Sequence, residues 1–283
     1  MQLDITSNNS QPINQTIKKG KPVQYGKNMI GNGEFIVIAG PCSIENQNQF
    51  LNTSQFVKNH GAAILRGGIW KLRTHADSFQ GLGVESFEMI KKIKTELGLT
   101  LCSEVTDVRQ IEWVEDVIDM IQVGSRNMHN YELLKELGKT KKPILLKRGF
   151  AALVDEWIKA ADYIIRGGNE NVILCERGIR TFETSTRNTL DLNAVVYLKE
   201  NTNFPVIVDP SHAVGVRHLV SPLALASAAA GADGIIVEVH PNPKEALSDG
   251  MQALTFDDFE KLMLNINGIL KVMNRELTVC KPN

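Results

Sequence analysis

Short apolar runs rich in β-branched residues alternate with amphipathic stretches of helical period from residue 35 onward. The runs are unbroken, which is typical of strands in a parallel sheet whose outer face is covered by helices. They are FIVIAG (35–40), AAILRG (62–67), LTLCSEV (99–105), MIQVGS (120–125), PILLKRG (143–149), NVILCERG (171–178), PVIVDPSH (205–212) and GIIVEVH (234–240). A segment that can contain a helix follows each run, so the pattern predicts eight βα units.

Eight such units in about 240 residues match a (β/α)8 TIM barrel in number and length. We therefore predict an α/β fold with a catalytic barrel over residues 34–275. An open doubly wound sheet is the alternative, but it usually has a glycine-rich turn after its first strand. Here GNGEFI precedes a strand, so the dinucleotide-binding fingerprint is absent.

The barrel is flanked by short extensions. Residues 1–33 are expected to form a polar, loosely attached tail and a short β-hairpin, because turn residues occur at Tyr25-Gly26-Lys27-Asn28. The hairpin could cap the amino-terminal end of the barrel or contact another subunit. Residues 276–283 are expected to form a carboxyl-terminal tail, and no regulatory domain is expected beside the barrel.

Composition excludes several classes of partner. The 283 residues carry a formal net charge of −1, and no dense run of lysine and arginine indicates nucleic acid as a ligand. No apolar run approaches the length of a membrane span, and the polar amino terminus lacks the apolar core of a secretory signal. Four cysteines without a CxxC pair favour a reduced, cytoplasmic protein, which we expect to be a homodimer or homotetramer.

Charged or polar residues stand at or just after the end of every predicted strand. Buried charges are rare unless they are paired or bind a ligand, and the carboxyl ends of barrel strands form the active-site mouth. Five cations come from four of these strand ends: Arg66, Lys71, Arg126, Lys147 and Arg177. Five cations that converge without matching carboxylates predict a bound polyanion, and Arg73-Thr74 could hold a second anion.

Cys42, His212 and Glu238 come from the first and the last two strands. Cys42 by itself could be a packing residue, a nucleophile or half of a disulfide. In a closed barrel, however, the last strand pairs with the first, and a thiol, an imidazole and a carboxylate together predict a divalent-metal site. Mn, Fe, Co, Zn or Cu would suit this mixed set. Cys102 and Cys175 lie within strands and are expected to be core thiols.

Seven segments resemble one enzyme family, the 3-deoxy-7-phosphoheptulonate (DAHP) synthases. The resemblance is to their short type I beta branch, which is related to the 3-deoxy-octulosonate 8-phosphate synthases. The segments are IAGPCSIE, RGGIWKLRTHADSFQGLG, QVGSRNMHN, ILLKRGFA, ILCERGIRTFE, VDPSHAVG and VEVHPNPKEALSDGMQAL. The resemblance implies a metal-dependent condensation of phosphoenolpyruvate (PEP) with erythrose 4-phosphate, the first step of the shikimate pathway.

The resemblance also implies a role for individual residues. Asp249 precedes a glycine, and an Asp-Gly pair is usually a turn. Only the resemblance implies that Asp249 is a fourth metal ligand beside Cys42, His212 and Glu238. Lys71, Cys42 and His212 would take part in the chemistry. The expected ligands of PEP are Arg66, Lys71, Ser125, Arg126, Lys147 and Arg177. The expected ligands of the aldehyde phosphate are Arg73 and Thr74.

One motif separates the two related activities. DAHP synthases carry Lys-Pro-Arg-Thr after the second strand, whereas the octulosonate synthases carry Lys-Ala-Asn-Arg. Lys71-Leu72-Arg73-Thr74 lacks the inserted asparagine, which favours DAHP synthase, but Leu72 replaces a proline that would fix the loop. An octulosonate-type enzyme, or one that uses another aldose phosphate, is therefore the alternative.

Overall fold

The described structure is a computed structural model that covers residues 20–73 and 75–279. Thr74, Cys280 and residues 1–19 of the predicted tail lie outside these ranges. The described chain begins with an antiparallel hairpin in which β1 (Val23–Tyr25) pairs with β2 (Asn28–Ile30). Gly26 and Lys27 form its two-residue turn, and the φ of Gly26 is 51°. The hairpin lies where its turn residues predicted it.

Eight parallel strands follow and close into a barrel. They are β3 (Ile36–Gly40), β4 (Ile64–Arg66), β5 (Leu101–Glu104), β6 (Met120–Val123), β7 (Ile144–Lys147), β8 (Val172–Glu176), β9 (Val206–Val208) and β10 (Gly234–Glu238). Neighbours in the chain pair with one another, and β10 pairs with both β9 and β3. The structure therefore confirms the (β/α)8 barrel and the adjacency of its first and last strands.

Helices lie between the strands along the chain and after the last strand. They are α1 (Gln47–Asn59), α2 (Phe87–Leu97), α3 (Gln110–Trp113), α4 (Tyr131–Gly138), α5 (Val154–Arg166), α6 (Leu192–Asn201), α7 (Pro210–Val214), α8 (Arg217–Ala229) and α9 (Phe256–Val272). Side-chain caps fix several helix starts: Asn46 caps α1, and Thr255 with Asp258 forms a capping box on α9. Across the described residues, no helix has both the length and the apolar character that a membrane crossing requires.

The barrel interior changes character along its axis. Side chains alternate between the interior and the helical layer, so residues two apart in a strand share a face. The lower interior is packed with apolar side chains, which include Ile36, Ile38, Ile64, Cys102, Met120, Leu145, Ile173, Ile207 and Ile236. Two residues after Ile64, Leu145 and Ile236, the same face carries Arg66, Lys147 and Glu238. An apolar floor therefore supports a polar mouth at the carboxyl ends of the strands.

The hairpin closes the opposite end of the barrel. Val23, Tyr25 and Ile30 are buried and belong to the same apolar cluster as the lower interior. Gly31 approaches Pro205, which stands just before β9. Of the two roles considered for the hairpin, capping the amino-terminal end is the one that these contacts support.

Candidate active site

A cavity of about 200 Å³ opens at the carboxyl-terminal mouth of the barrel. Seven of the predicted anion-binding residues line it, namely Arg66, Lys71, Arg73, Ser125, Arg126, Lys147 and Arg177. Thr74, the eighth, lies outside the described residues. Arg66, Lys147 and Arg177 are almost fully buried, whereas Arg126 is exposed at the rim. The structure thus brings the predicted cations from four different strand ends to one cavity.

The predicted metal ligands meet at one side of this cavity. One ligand atom from each of Cys42, His212, Glu238 and Asp249 lies within 4.8 Å of the others. Closure of the barrel brings Cys42 and Glu238 together, because Glu238 is opposite Gly40 in the register of β10 and β3. The sequence pattern predicted that His212 ends a strand, and this prediction is wrong. β9 stops at Val208, and His212 lies on α7.

Asp209 controls the orientation of His212. Its carboxylate caps α7 by accepting the backbone N–H of His212 at 2.9 Å, and it binds the Nδ1 atom of the imidazole at 2.7 Å. The Nε2 atom is thereby directed toward the cluster, where it lies 3.3 Å from Glu238 Oε1. Burial lowers the pKa of His212, which favours the neutral imidazole that metals bind.

The four residues fit a divalent cation by chemistry as well as by distance. Glu238 Oε1 is buried and accepts no hydrogen bond in the described structure, although the Arg66 guanidinium lies 3.2 Å away. An unsatisfied buried carboxylate oxygen is costly unless a cation meets it. The set offers one soft sulfur, one imidazole nitrogen and two carboxylates, which suits a first-row transition metal.

Cys42, a member of the ligand set, is hydrogen-bonded to Lys71, and both side chains are protonated. Burial raises the pKa of Cys42, and its thiol donates a hydrogen bond to Asp249 Oδ2 at 3.2 Å. The Lys71 ammonium donates to Cys42 Sγ at 2.9 Å. Burial opposes the charge of Lys71, but Cys42 and Glu238 outweigh it and raise the lysine pKa. A metal bound here would displace the thiol proton.

The expectation that the cations lack matching carboxylates is wrong for three of them. Lys147 Nζ lies 2.6 Å from Asp209, Arg66 lies 3.2 Å from Glu238, and Lys71 lies 3.8 Å from Asp249. The carboxylates come from β10 and from the loops after β9 and β10, far away in sequence but beside the cations in the closed ring. Arg177 instead donates to the backbone carbonyls of Gly178 and His212.

Comparison with known proteins identifies the family. A model of the DAHP synthetase I family matches residues 7–273. The chain belongs to the DAHP synthetase I family. The phospho-2-dehydro-3-deoxyheptonate aldolase of Thermotoga maritima is 46% identical over 241 residues, which are 85% of this chain and 71% of that protein. The predicted resemblance to DAHP synthases is thereby confirmed at the level of the family.

Solved structures agree with this assignment to the DAHP synthetase I family. A crystal structure of the Thermotoga maritima phospho-2-dehydro-3-deoxyheptonate aldolase (DAHP synthase) matches with a TM-score of 0.88 and 42% identity, over 92% of this chain and 76% of that one. A truncated form of the 3-deoxy-D-arabino-heptulosonate 7-phosphate synthase of Thermotoga maritima gives a TM-score of 0.85 and 40% identity, over 92% and 95%. A 2-dehydro-3-deoxyphosphooctonate aldolase of Geobacter sulfurreducens is more distant, 29% identical over 84% of this chain and 93% of that protein.

Sequence patterns missed several residues of this DAHP synthetase family site. Arg187 and Phe150 line the cavity, and Gln252 binds Glu238, yet none of them stands at the end of a strand. Asp209 alone among them could have been recognised in the sequence as a helix cap. It precedes His212 by three residues and stands at the start of a short helix. The others lie in loops, whose positions no periodic pattern predicts.

Phe150 organises the arginines of this family site. The guanidinium carbons of Arg126, Arg177 and Arg180 lie 5.7, 4.8 and 4.8 Å from its ring centroid. An aromatic face attracts cations, so the ring lets three like charges gather beside the cavity before an anion arrives.

Replacing Phe150 with leucine should therefore raise the KM for PEP about tenfold, the loss expected for two or three weak cation–π contacts. Steady-state kinetics with PEP varied at saturating aldehyde would measure the change. Phe150→Tyr keeps the ring face and should stay within about twofold of wild type. A leucine variant with an unaltered KM for PEP would show that the ring only fills space.

Arg148, next to Lys147 in sequence, faces the helical layer instead of the cavity. Its guanidinium lies 2.9 Å from both Glu176 and Asp191 and stacks over the ring of Trp157. Two carboxylates in a buried position thus compensate this charge, which indicates a structural role.

Arg148→Met should accordingly lower the free energy of unfolding by about 3–5 kcal/mol, because Glu176 would be left buried without its partner. Chemical denaturation would report the loss. The KM values of the folded fraction should not change, since the side chain does not line the cavity. A variant as stable as wild type would argue against this ion pair as a structural element.

Proposed function

We infer that this protein condenses PEP with erythrose 4-phosphate and water to give 3-deoxy-D-arabino-heptulosonate 7-phosphate and phosphate. It is a transferase of the shikimate pathway, which leads to chorismate and the aromatic amino acids. Membership of the DAHP synthetase I family supports this function. The observation that carries it is the meeting of a four-residue metal-ligand set with a cation-lined cavity at one mouth of the barrel.

We assign the deep cations to PEP. Arg66, Lys147 and Arg177 are buried at the cavity wall, and Arg126 stands at its rim above Ser125. Guanidinium groups can form paired hydrogen bonds with a phosphate or a carboxylate, and PEP carries both anions. Fixing PEP in this way would orient its C3 atom toward the metal side of the cavity.

The loop after β4 is proposed to hold the second substrate. Arg73 and Leu72 line the cavity on the side away from β8, and Lys71 lies between them and the ligand set. Arg73, with Thr74, would bind the phosphate of the aldehyde. Two anions repel each other, so holding both with fixed cations would supply much of the rate enhancement.

Cys42, His212, Glu238 and Asp249 would hold a divalent metal, with Mn, Fe, Co, Zn and Cu as the chemically suitable ions. When bound, such an ion supplies Lewis-acid polarisation of the aldehyde oxygen. Asp209 keeps His212 Nε2 directed toward the ligand set, and Lys147 in turn binds Asp209. The metal side and the PEP side of the site are thus joined through one carboxylate.

Lys71 is the proposed proton donor. Its ammonium lies 2.9 Å from Cys42 Sγ and borders the cavity, and the neighbouring negative groups keep it charged. As C3 of PEP bonds to the aldehyde carbon, Lys71 Nζ would give a proton to the aldehyde oxygen. Water then adds to C2 of PEP and gives up one proton, which restores the Lys71 ammonium. The resulting C2 hydroxyl becomes the ketone oxygen as the C2–O bond to phosphate breaks, and its proton leaves with the phosphate.

One observation favours a second candidate, a PEP-dependent synthase that uses another aldose phosphate. Leu72 is 39% exposed at the cavity, where a proline would have fixed the loop that carries Arg73. A looser loop could admit a longer aldehyde such as arabinose 5-phosphate. The absence of an asparagine between Lys71 and Arg73 supports the four-carbon substrate instead.

An aldehyde panel tests the function. Loss of PEP would be followed with erythrose 4-phosphate, ribose 5-phosphate and arabinose 5-phosphate in turn, each with chelator or with added Mn(II). We expect the highest kcat/KM with erythrose 4-phosphate and no turnover in chelator. Preference for a five-carbon aldehyde would favour the alternative, and turnover in excess chelator would exclude the metal role.

Finer assignments are part of the same proposal. We place the chain in the type I beta branch, because its seven matching segments occur in the order of that branch, with Leu72 in place of one proline. We propose a cytoplasmic location, since Cys42, Cys102 and Cys175 are free thiols and a thiolate ligand must remain reduced. A homodimer or homotetramer stays a prediction that light scattering can measure.

A further inference from the structure

Arg187 is a cation at the cavity that the proposed substrate contacts do not use. It lies in the loop between β8 and α6, and its side chain is 41% exposed. Its NH1 atom donates to Gln252 Oε1 at 3.0 Å and lies 3.8 Å from Asp249 Oδ1. The guanidinium therefore reaches the segment after β10, which supplies Asp249 to the metal-ligand set.

Gln252, which accepts the hydrogen bond of Arg187, also binds Glu238, a second member of the ligand set. It is 2% exposed, and its Nε2 atom donates to Glu238 Oε2 at 2.7 Å. A carboxylate can only accept hydrogen bonds and a guanidinium can only donate them. The amide between Glu238 and Arg187 therefore has a single satisfactory orientation, with its nitrogen on Glu238 and its oxygen on Arg187.

This orientation determines which oxygen of Glu238 is available. Oε2 is occupied by Gln252, whereas Oε1 accepts no hydrogen bond in the described structure and lies 3.3 Å from His212 Nε2. The amide thus turns the carboxylate so that its free oxygen points into the ligand set.

The same arginine also contacts the segments that carry two further members of the set, Asp249 and His212. Asp249 has a φ of 48°, a left-handed conformation that costs a non-glycine residue energy, and the Arg187 charge lies beside its carboxylate. The backbone N–H of Arg187 donates to Val214 at the end of α7, the helix that carries His212. Gly215, just after α7, approaches the Arg187 side chain so closely that a β-carbon would lie 2.9 Å from it.

We propose that Arg187 and Gln252 act as a pair of positioning residues that set the orientation of Glu238 and Asp249 for metal binding. The inference rests on the proposed metal role of those two carboxylates. Partners that orient metal ligands in this way typically contribute 10- to 100-fold to metal affinity.

The sign of the effect separates positioning from simple electrostatics. A guanidinium near the site repels a divalent cation, so removing its charge should by Coulomb's law tighten metal binding. Positioning requires the opposite result. Metal-free wild type, Arg187→Met and Gln252→Met would be titrated with Mn(II) alone, with unbound Mn(II) measured by electron paramagnetic resonance.

We expect each variant to bind Mn(II) about 10- to 100-fold more weakly than wild type. Because the two residues act as one unit, the double variant should be no weaker than either single variant within about twofold. Saturating Mn(II) should restore most of kcat without changing the KM for PEP. The melting temperature of metal-free Arg187→Met should match wild type, which excludes general unfolding.

Arg180→Met is the matched control, because it removes one positive charge from the same loop without touching a proposed ligand. Its Mn(II) affinity should equal that of wild type or exceed it. Tighter or unchanged binding by Arg187→Met, fully additive losses in the double variant, or a raised KM for the aldehyde as the sole effect would each overturn the inference. A wild-type protein that binds no Mn(II) would overturn the proposed metal site together with the inference.

Discussion

Cys42→Ala is expected to lower kcat by at least about 100-fold at any Mn(II) concentration. A metal acting as a Lewis acid contributes several kcal/mol to transition-state stabilisation, and each 1.4 kcal/mol corresponds to a factor of about ten. Cys42 is the only sulfur in the four-residue set, and its side chain is buried against Asp249 and Lys71. Alanine removes that donor, and with it the sulfur that accepts the hydrogen bond of the Lys71 ammonium.

Cys175→Ala is the matched control for this variant. Cys175 is also a buried free thiol in the barrel, but it lies in the apolar cluster below the mouth. The same substitution there should cost only packing, and Mn(II) affinity should stay at the wild-type level. Mn(II) titration and steady-state kinetics on both variants provide the comparison. Wild-type turnover by Cys42→Ala would reject the metal role of the thiol.

Arg177→Met is expected to reduce kcat/KM for PEP by about 30- to 5,000-fold, because truncating one partner of a buried charged contact costs about 2–5 kcal/mol. Arg177 is 2% exposed, and burial lowers its pKa, so the surrounding protein compensates its charge poorly. Such a guanidinium requires an anionic ligand to offset its desolvation. The KM for the aldehyde and the Mn(II) affinity should change little.

The stability of Arg177→Met should move in the opposite direction from its activity. Within residues 20–73 and 75–279, Arg177 forms no ion pair with a carboxylate, so removing this buried charge relieves desolvation. We therefore expect a melting temperature at or above that of wild type. Arg148→Met provides the contrast, because Arg148 is paired with Glu176 and should lose stability without losing PEP affinity. If Arg177→Met melted well below wild type with an unchanged kcat/KM, the residue would be structural.

The different positions of Arg177 and Arg148, one inside the barrel and one facing the helices, can be predicted from the alternation of side chains along the strands. Side chains alternate along a strand, and Leu145 and Cys175 belong to the interior cluster. Counting two residues onward places Lys147 and Arg177 in the interior and Arg148 with Glu176 on the helical side. The mouth of the barrel is predictable from the ends of the strands, because strand ends are a property that the local pattern reveals.

Other features depended on contacts between distant segments. The carboxylate partners of Arg66 and Lys147 come from residues more than sixty positions away, so no local pattern indicates that these cations are already paired. The pattern alone places His212 at a strand end, because a short helix of five residues leaves almost no periodic signal. Arg187 and Gln252 lie in loops, where position follows from packing and hydrogen bonds.

The amino-acid sequence by itself determined the eight-unit barrel, the polar mouth and the family, because hydrophobic period and short motifs are local properties. Only the tertiary structure decided which groups share a proton, an ion pair or a ligand position. Closure of the ring brings Glu238 beside Cys42, and loop packing brings Asp249 and Arg187 to the same place. Electrostatic interactions of this kind depend on distance and burial, which a linear pattern does not contain.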